Sequence, residues 1–487
     1  MTQNTDQNLG RDAQWRVELR DQMSAKERTS IPRAKMPMLD PSYRITCNEE
    51  VNQGLSEEQA VLEAKRCLDC PDPQCVTGCP VGIDIPGFIK NIQRENFSEA
   101  AAVLKKTSAL PAVCGRVCPQ EKQCESKCIY NKMKKPAVAI GYLERFAADT
   151  ERLSGKHVSA DKEPSRGIKI AVAGSGPAGL SFAGDMIKRG YDVTVFEALH
   201  EIGGVLKYGI PEFRLPNAVV DAELESLQQL GVVFRKDCVI GKTLSYDDLL
   251  NDGFKAIFVA SGAGLPRFMG IPGENLSGVM SSNEYLTRIN LMGAGHGGMT
   301  PVAHGKRVAV IGGGNTAMDS VRTARRMGAE RAMIIYRRSE NEMPARREEI
   351  DHAKEEGVEF LTLCNPIEYH GDENGRVKTM LVQRMTLGEP GPDGRRSPVA
   401  IEGAVDEIEV DEVIVSVGVS PNPLIPDSIE GLAVSRRGTI EVNDSLQSSI
   451  PLIFAGGDIV RGGATVILAM GDGRKAAAAM HEYLSAE

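Results

Sequence analysis

Two glycine turns constrain this chain more than any other feature, because each follows an apolar strand and opens a helix. The first lies in GIKIAVAGSGPAGL from Gly167, the second in KRVAVIGGGNTAMD from Lys306. In the first, Gly174-x-Gly176-x-x-Gly179 permits a tight turn and close approach of a pyrophosphate, which sits on the helix N-terminus. Gly174, Gly176, Pro177, Ala178 and Gly179 are therefore candidate dinucleotide contacts. The next strand, YDVTVFE, ends at Glu197, where a carboxylate accepts hydrogen bonds from ribose hydroxyls. The second turn reads Gly312-x-Gly314-Asn315-Thr316-Ala317, and its next strand ends in Arg337-Arg338 instead of an acid. An acid there repels a 2′-phosphate and an arginine attracts it. The first site thus expects an adenosine ribose without phosphate, as in FAD, and the second expects NADPH over NADH. The competing reading of the two arginines is a solvated charge pair, since Glu340 and Glu342 follow.

The two units begin 138 residues apart, counted between Gly174 and Gly312. Strand-then-glycine phrases, DGFKAIFVASGA and DEVIVSVGVSPNP, follow each. Another strand near the end, IPLIFAGGDIV, leads into GGATVILAMGDGRKAA. Gly457, Asp458 and Thr465 are candidate flavin contacts in this tail, although a Gly-Asp turn is commonplace. The expected class is α/β, with two Rossmann-like domains, the second inserted in the first. The expected bounds are 161–295 with 421–487 for FAD and 296–420 for NADPH. Residues 46–160 are expected to form an α-helical domain, opening with a Ser-x-x-Gln capping box at Ser56. Residues 1–45, charged and without periodicity, read as an extended arm.

Nine of the eleven cysteines fall between Cys47 and Cys128. They read Cys67-x2-Cys70-x4-Cys75-x3-Cys79-Pro80, then Cys114-x3-Cys118-Pro119-x4-Cys124-x3-Cys128. A disulfide framework suits small secreted domains. Structural zinc suits isolated tetrads. Two blocks that each carry Cys-Pro fit the iron–sulfur pattern best, with eight thiolates for two [4Fe–4S] clusters. Cys47 stands off the pattern as an ordinary packed thiol.

With 57 Lys+Arg against 66 Asp+Glu the net charge is −9, which argues against nucleic-acid binding. No apolar run approaches the ~18–20 residues of a membrane span. The polar start, MTQNTDQNLGRDAQWRVELRDQ, lacks a secretory h-region, so a cytoplasmic location is expected. NADPH releases electrons as a pair and a cluster takes one at a time; a flavin does both, so the three together make a two-to-one electron converter. The second dinucleotide unit carries no Cys-x-x-Cys, so electrons are expected to leave through the cysteine domain and not through a disulfide.

These motifs resemble the small (β) subunit family of NADPH-dependent glutamate synthase. The family includes the large subunit of NADH-dependent ferredoxin:NADP oxidoreductase and the N-terminal half of dihydropyrimidine dehydrogenase. The phrases that carry the resemblance are CLDCPDPQCVTGCPVGIDIPGFI, LPAVCGRVCPQEKQCESKC, IGYLERFAAD, GGVLKYGIPEFRLP, IGGGNTAMD, YRRSENEMPAR and FAGGD. The resemblance implies one cluster on Cys67, Cys70, Cys75 and Cys128. It implies a second on Cys79, Cys118, Cys124 and Glu144, where spacing alone nominates Cys114. It also implies that Gly204, Leu206 and Arg214 line the flavin. No residue reads as a clear acid–base catalyst, and hydride transfer onto a flavin mainly needs positioning.

The implied function is the NADPH-oxidising electron-input subunit of glutamate synthase. Its partner would be the large (α) subunit, which makes L-glutamate from L-glutamine and 2-oxoglutarate. The alternative is the electron-bifurcating oxidoreductase, partnered by a small NAD-binding flavoprotein and ferredoxin, or a sulfide dehydrogenase. A non-enzymatic zinc and flavin sensor is the alternative of a different class.

Overall fold

The computed structural model describes residues 10–155, 161–294 and 297–486. The expected domain boundaries after residues 160 and 295 fall on residues outside those described.

Residues 10–155 are helical. Ser56 caps the helix Glu57–Lys65 in a reciprocal capping box with Gln59. Asp84 caps Ile85–Gln93, every residue of which is buried. The 1–45 segment differs from the extended arm expected. It contains helices Gln14–Asp21 and Ala25–Ser30, the latter held by a capping box between Ser24 and Glu27. The Ser-x-x-Glu signal was present, but the helices are too short to show hydrophobic periodicity.

The first sheet comprises β1 (Lys169–Ala173), β2 (Asp192–Phe196), β3 (Val233–Arg235) and β4 (Phe254–Val259), joined by a strand of the C-terminal tail. A short β5 (Leu265–Pro266) leads to the second sheet: β6 (Val279–Ser281), β7 (Arg307–Ile311), β8 (Arg331–Tyr336) and β9 (Glu359–Thr362). Three antiparallel strands follow, β10 (Cys364–Gly371), β11 (Val377–Pro390) and β12 (Arg396–Glu409). Then come β13 (Glu412–Val415), β14 (Val419–Ser420) and β15 (Ile453–Ala455).

The orders are β15-β4-β1-β2-β3 and β6-β13-β7-β8-β9, and both sheets are parallel throughout. Each has the same switch point beside its first long strand, where such sheets bind dinucleotides. Both glycine turns sit there, after β1 and after β7. Pairing of β15 with β4 returns the tail to the first sheet. The second sheet starts earlier than the sequence boundary at 296 supposes, because β6 pairs with β13. β5 and β14 pair as a two-stranded ribbon where the chain crosses between the two units. Among the described residues no helix is long and apolar enough to cross a membrane.

Candidate functional site

Gly174 has φ 109, and a Cβ there would lie 2.4 Å from the Ala260 carbonyl oxygen. Only glycine allows β1 to turn so close to the end of β4. Gly176 faces open space, with nothing within 4 Å of a built Cβ. Gly179 packs on the turn, its Cβ position 2.1 Å from the Gly174 carbonyl. Glu197 is buried and accepts from the Ser175 amide at 3.0 Å, the Ser175 hydroxyl at 2.6 Å and the Leu199 amide at 2.9 Å. A carboxylate has about four acceptor positions, so capacity remains for a ribose hydroxyl.

One cavity of about 1570 Å³ runs from this turn to the second. Its wall includes Gly174, Gly176, Pro177, Ala178, Glu197 and Gly204 on one side and Gly314, Asn315, Thr316 and Asp319 on the other. Gly457, Asp458 and Thr465 also line it. Burial pushes the Asp458 carboxyl up to about 6, and the Asp319 carboxyl likewise to about 6.

Several expected contacts sit elsewhere. Leu206 is fully buried in the core and does not reach the cavity. It lies on a one-turn helix, Val205–Tyr208, whose residues 205 and 208 share the cavity face while 206 turns inward. Arg214 touches the cavity, but its guanidinium is committed to Asp319 at 2.9 Å and Glu349 at 3.3 Å. It therefore ties the first unit to the second. Gly312, with φ 142, and Ala317 are packing positions outside the cavity wall. Arg337 and Arg338 also lie outside it, at the end of β8. Arg338 Nε donates to the Arg396 carbonyl at 2.8 Å, while Arg337 is exposed.

The cysteines form two groups. Burial raises the Cys67, Cys70 and Cys75 thiols, and their mutual charges with Cys128 add to it. In the second group, burial pushes Cys79 up to about 11, and the same carboxylate, Glu144, acts on Cys79, Cys118 and Cys124. Gly115 makes this possible. A Cβ there would lie 2.5 Å from the Arg145 amide nitrogen, so helices Pro111–Val117 and Ile140–Ser154 meet without a side chain between them. Glu144 is thereby held beside Cys118.

Glu144 is 5 % exposed, and burial, with Glu223 adding, pushes its carboxyl up to about 8. Its Oε1 is buried without a hydrogen-bond partner. Such an orphaned acceptor among three thiols fits a cluster ligand. Cys114 belongs to the same neighbourhood, its thiol donating to Met470 Sδ at 3.5 Å. Among the described residues no three His, Cys, Asp or Glu side chains close on a single ion position. A four-iron cluster keeps its ligands farther apart than one ion does.

Three features escaped sequence reasoning. Val117 and Pro119, on either side of Cys118, line the large cavity. Gly471 of the C-terminal helix abuts Pro80, its Cβ position 3.0 Å from the Pro80 carbonyl, while Leu468 and Ala469 of that helix face the cavity. Asp319 faces the cavity from the second unit. None carries a local signal, since each depends on packing between segments far apart in sequence.

A flavin-type fold, two dinucleotide turns on one cavity and a cysteine domain at its wall define an iron–sulfur pyridine-nucleotide oxidoreductase. The comparisons agree. Residues 44–156 match the family dihydropyrimidine dehydrogenase domain II, 4Fe-4S cluster, and residues 168–473 match the pyridine nucleotide-disulphide oxidoreductase family. The glutamate synthase [NADPH] small chain of Escherichia coli is 37 % identical over 446 residues, covering 89 % of this chain and 93 % of the relative. The NADP(+)-dependent formate dehydrogenase subunit beta of Moorella thermoacetica is 37 % identical, covering 84 % of this chain and 60 % of the relative. Among solved structures, Mycobacterium tuberculosis FprA in complex with NADPH superposes with a TM-score of 0.56 at 19 % identity, covering 66 % of this chain and 85 % of that one. The chain belongs to the glutamate synthase small-chain family of oxidoreductases. Members work with FAD, NADPH and 4Fe-4S clusters, and the residues described here fit all three.

Proposed function

We propose that this chain is the NADPH-oxidising electron-input subunit of glutamate synthase, serving a large subunit that forms L-glutamate from L-glutamine and 2-oxoglutarate. The observation that carries the electron route is the position of Val117 and Pro119. They flank Cys118 and belong to the wall of the cavity that both glycine turns open onto. Bound FAD supplies the chemistry of accepting an electron pair from NADPH and releasing electrons singly.

The chain's own residues do the rest. The Gly174–Gly179 turn and the helix behind it hold a pyrophosphate, and Glu197 orients the ribose. Gly314, Asn315 and Thr316 present the second helix N-terminus to the nicotinamide nucleotide, and Arg337 meets its 2′-phosphate. The Arg214–Asp319 pair holds the two units in register over the cavity. Cys79, Cys118, Cys124 and Glu144 hold the nearer cluster. Cys67, Cys70, Cys75 and Cys128 would hold the other one, with Cys75 on the one-turn helix Gln74–Thr77 that ends two residues before Cys79.

The test is anaerobic purification of the tagged chain from its native cell, with mass spectrometry of what accompanies it. A large chain with a glutamine-hydrolysing domain, and NADPH-dependent glutamate formation by the complex, is the expected result. A formate dehydrogenase subunit or a small NAD-binding flavoprotein as the stoichiometric partner would overturn it.

A further inference from the structure

The N-terminal strap closes on the first thiol group. Asp69, between Cys67 and Cys70, is 0 % exposed and has a left-handed backbone, φ 53. Its carboxylate is gripped by Arg16, through Nη2 and through Nε at 3.3 Å, and by Arg20 Nη1 at 2.6 Å. Its carbonyl accepts from Arg11 Nε at 2.9 Å. The helix carrying Arg16 and Arg20 is seated by Trp15, whose ring lies 3.8 Å from the Arg94 guanidinium carbon. Lys90 Nζ donates to the Cys67 carbonyl at 2.6 Å.

Reduction of a thiolate-bound cluster adds one negative charge, and the cluster's potential follows the net charge, hydrogen bonding and exposure around it. An unpaired Asp69 opposes that added charge; an Asp69 held by two guanidiniums does not. We propose that Arg16 and Arg20 are positioning residues that set the reduction potential of the cluster on Cys67, Cys70, Cys75 and Cys128 by outweighing the charge of Asp69, two cations against one carboxylate. The inference rests on the reading above that these four cysteines hold a cluster.

The experiment is an EPR-monitored redox titration of the anaerobically purified full chain. It compares wild type, Asp69→Asn, the double variant Arg16→Gln with Arg20→Gln, and the triple variant carrying all three changes. Asp69→Asn leaves two cations uncompensated and makes one of the two cluster signals easier to reduce. The double variant makes the same signal harder to reduce, and the triple variant returns it toward wild type. The expected size is about tenfold in the reduced-to-oxidised ratio at fixed poise, or ~59 mV for a one-electron couple. The second signal stays in place. A purely structural strap would lose iron in the double variant without moving the potential in Asp69→Asn, so an unmoved Asp69→Asn overturns the proposal even if the double variant does not fold. Equal shifts of both signals overturn it too. Wild-type chain without iron, or Cys67→Ser with both signals intact, would instead bring down the cluster reading beneath it.

Discussion

Replacing Arg337 by alanine should separate the two nicotinamide coenzymes. Arg337 follows β8 directly, is exposed, and makes no hydrogen bond or ion pair among the described residues. Arg338 is already occupied, its Nε held by the Arg396 carbonyl at 2.8 Å. The structure therefore distinguishes two arginines that the sequence presents as equals. A charge-assisted hydrogen bond contributes ~1.5–3 kcal/mol. Exposure and salt screening favour the lower end. About 1.5 kcal/mol corresponds to about tenfold. Arg337→Ala should thus raise the KM for NADPH about tenfold and leave that for NADH near its starting value. Arg338→Ala should do less, and the preference should narrow as ionic strength rises. Steady-state reduction of an artificial acceptor by each coenzyme, at low and high salt, measures this. Equal losses with both coenzymes, or an Arg338→Ala effect as large as that of Arg337→Ala, would refute the reasoning.

Glu356 accepts from Arg44 Nε at 2.8 Å, Arg322 Nη2 at 2.8 Å and Arg326 Nη1 at 2.9 Å, joining the N-terminal segment to the second unit. Burial raises its carboxyl, but Arg322 and Arg326 outweigh that and hold it at about 2 against an ordinary 4.5. The depressed value means stability present above pH 4.5 and lost as pH falls through 2. Glu356→Gln should therefore cost about 3 kcal/mol in urea unfolding near neutrality, with the difference vanishing in strong acid. Glu412 has the opposite sign. Burial, only partly offset by the Gly305 amide, raises it from 4.5 to about 7, so stability is full below pH 4.5 and falls as pH rises to 7. Glu412→Gln should flatten the fall in Tm across that window, and an unchanged profile would exclude Glu412 as its source. Glu144→Ala should remove or alter one cluster's EPR signal and lower the iron content while sparing the other; intact iron and both signals would reject Glu144 as a ligand.

Much of the site was legible because its signals are short-range. The turns at Gly174 and Gly312 lie within a few residues of the strands and helices they join. The capping box at Ser56 and the cysteine spacings are equally local. The antiparallel strands β10–β12 carried no such mark, since their pairing joins residues up to about thirty apart through backbone groups common to every residue. Leu206 failed for a similar reason: a one-turn helix decides which of two neighbours faces the cavity, and the decision is made by what packs behind it.

The order of strand, glycine turn and helix, together with the cysteine count, was enough to specify two dinucleotide units and an iron–sulfur domain. Those patterns state which local geometry each segment can adopt. They do not state which segments touch. Gly115 against Arg145 brings Glu144 to the thiols, Gly471 against Pro80 sets the C-terminal helix between cavity and cysteines, and Arg16 reaches Asp69 across fifty-three residues. Each is a contact between surfaces that exist only after folding, because close packing selects partners by shape and charge in three dimensions.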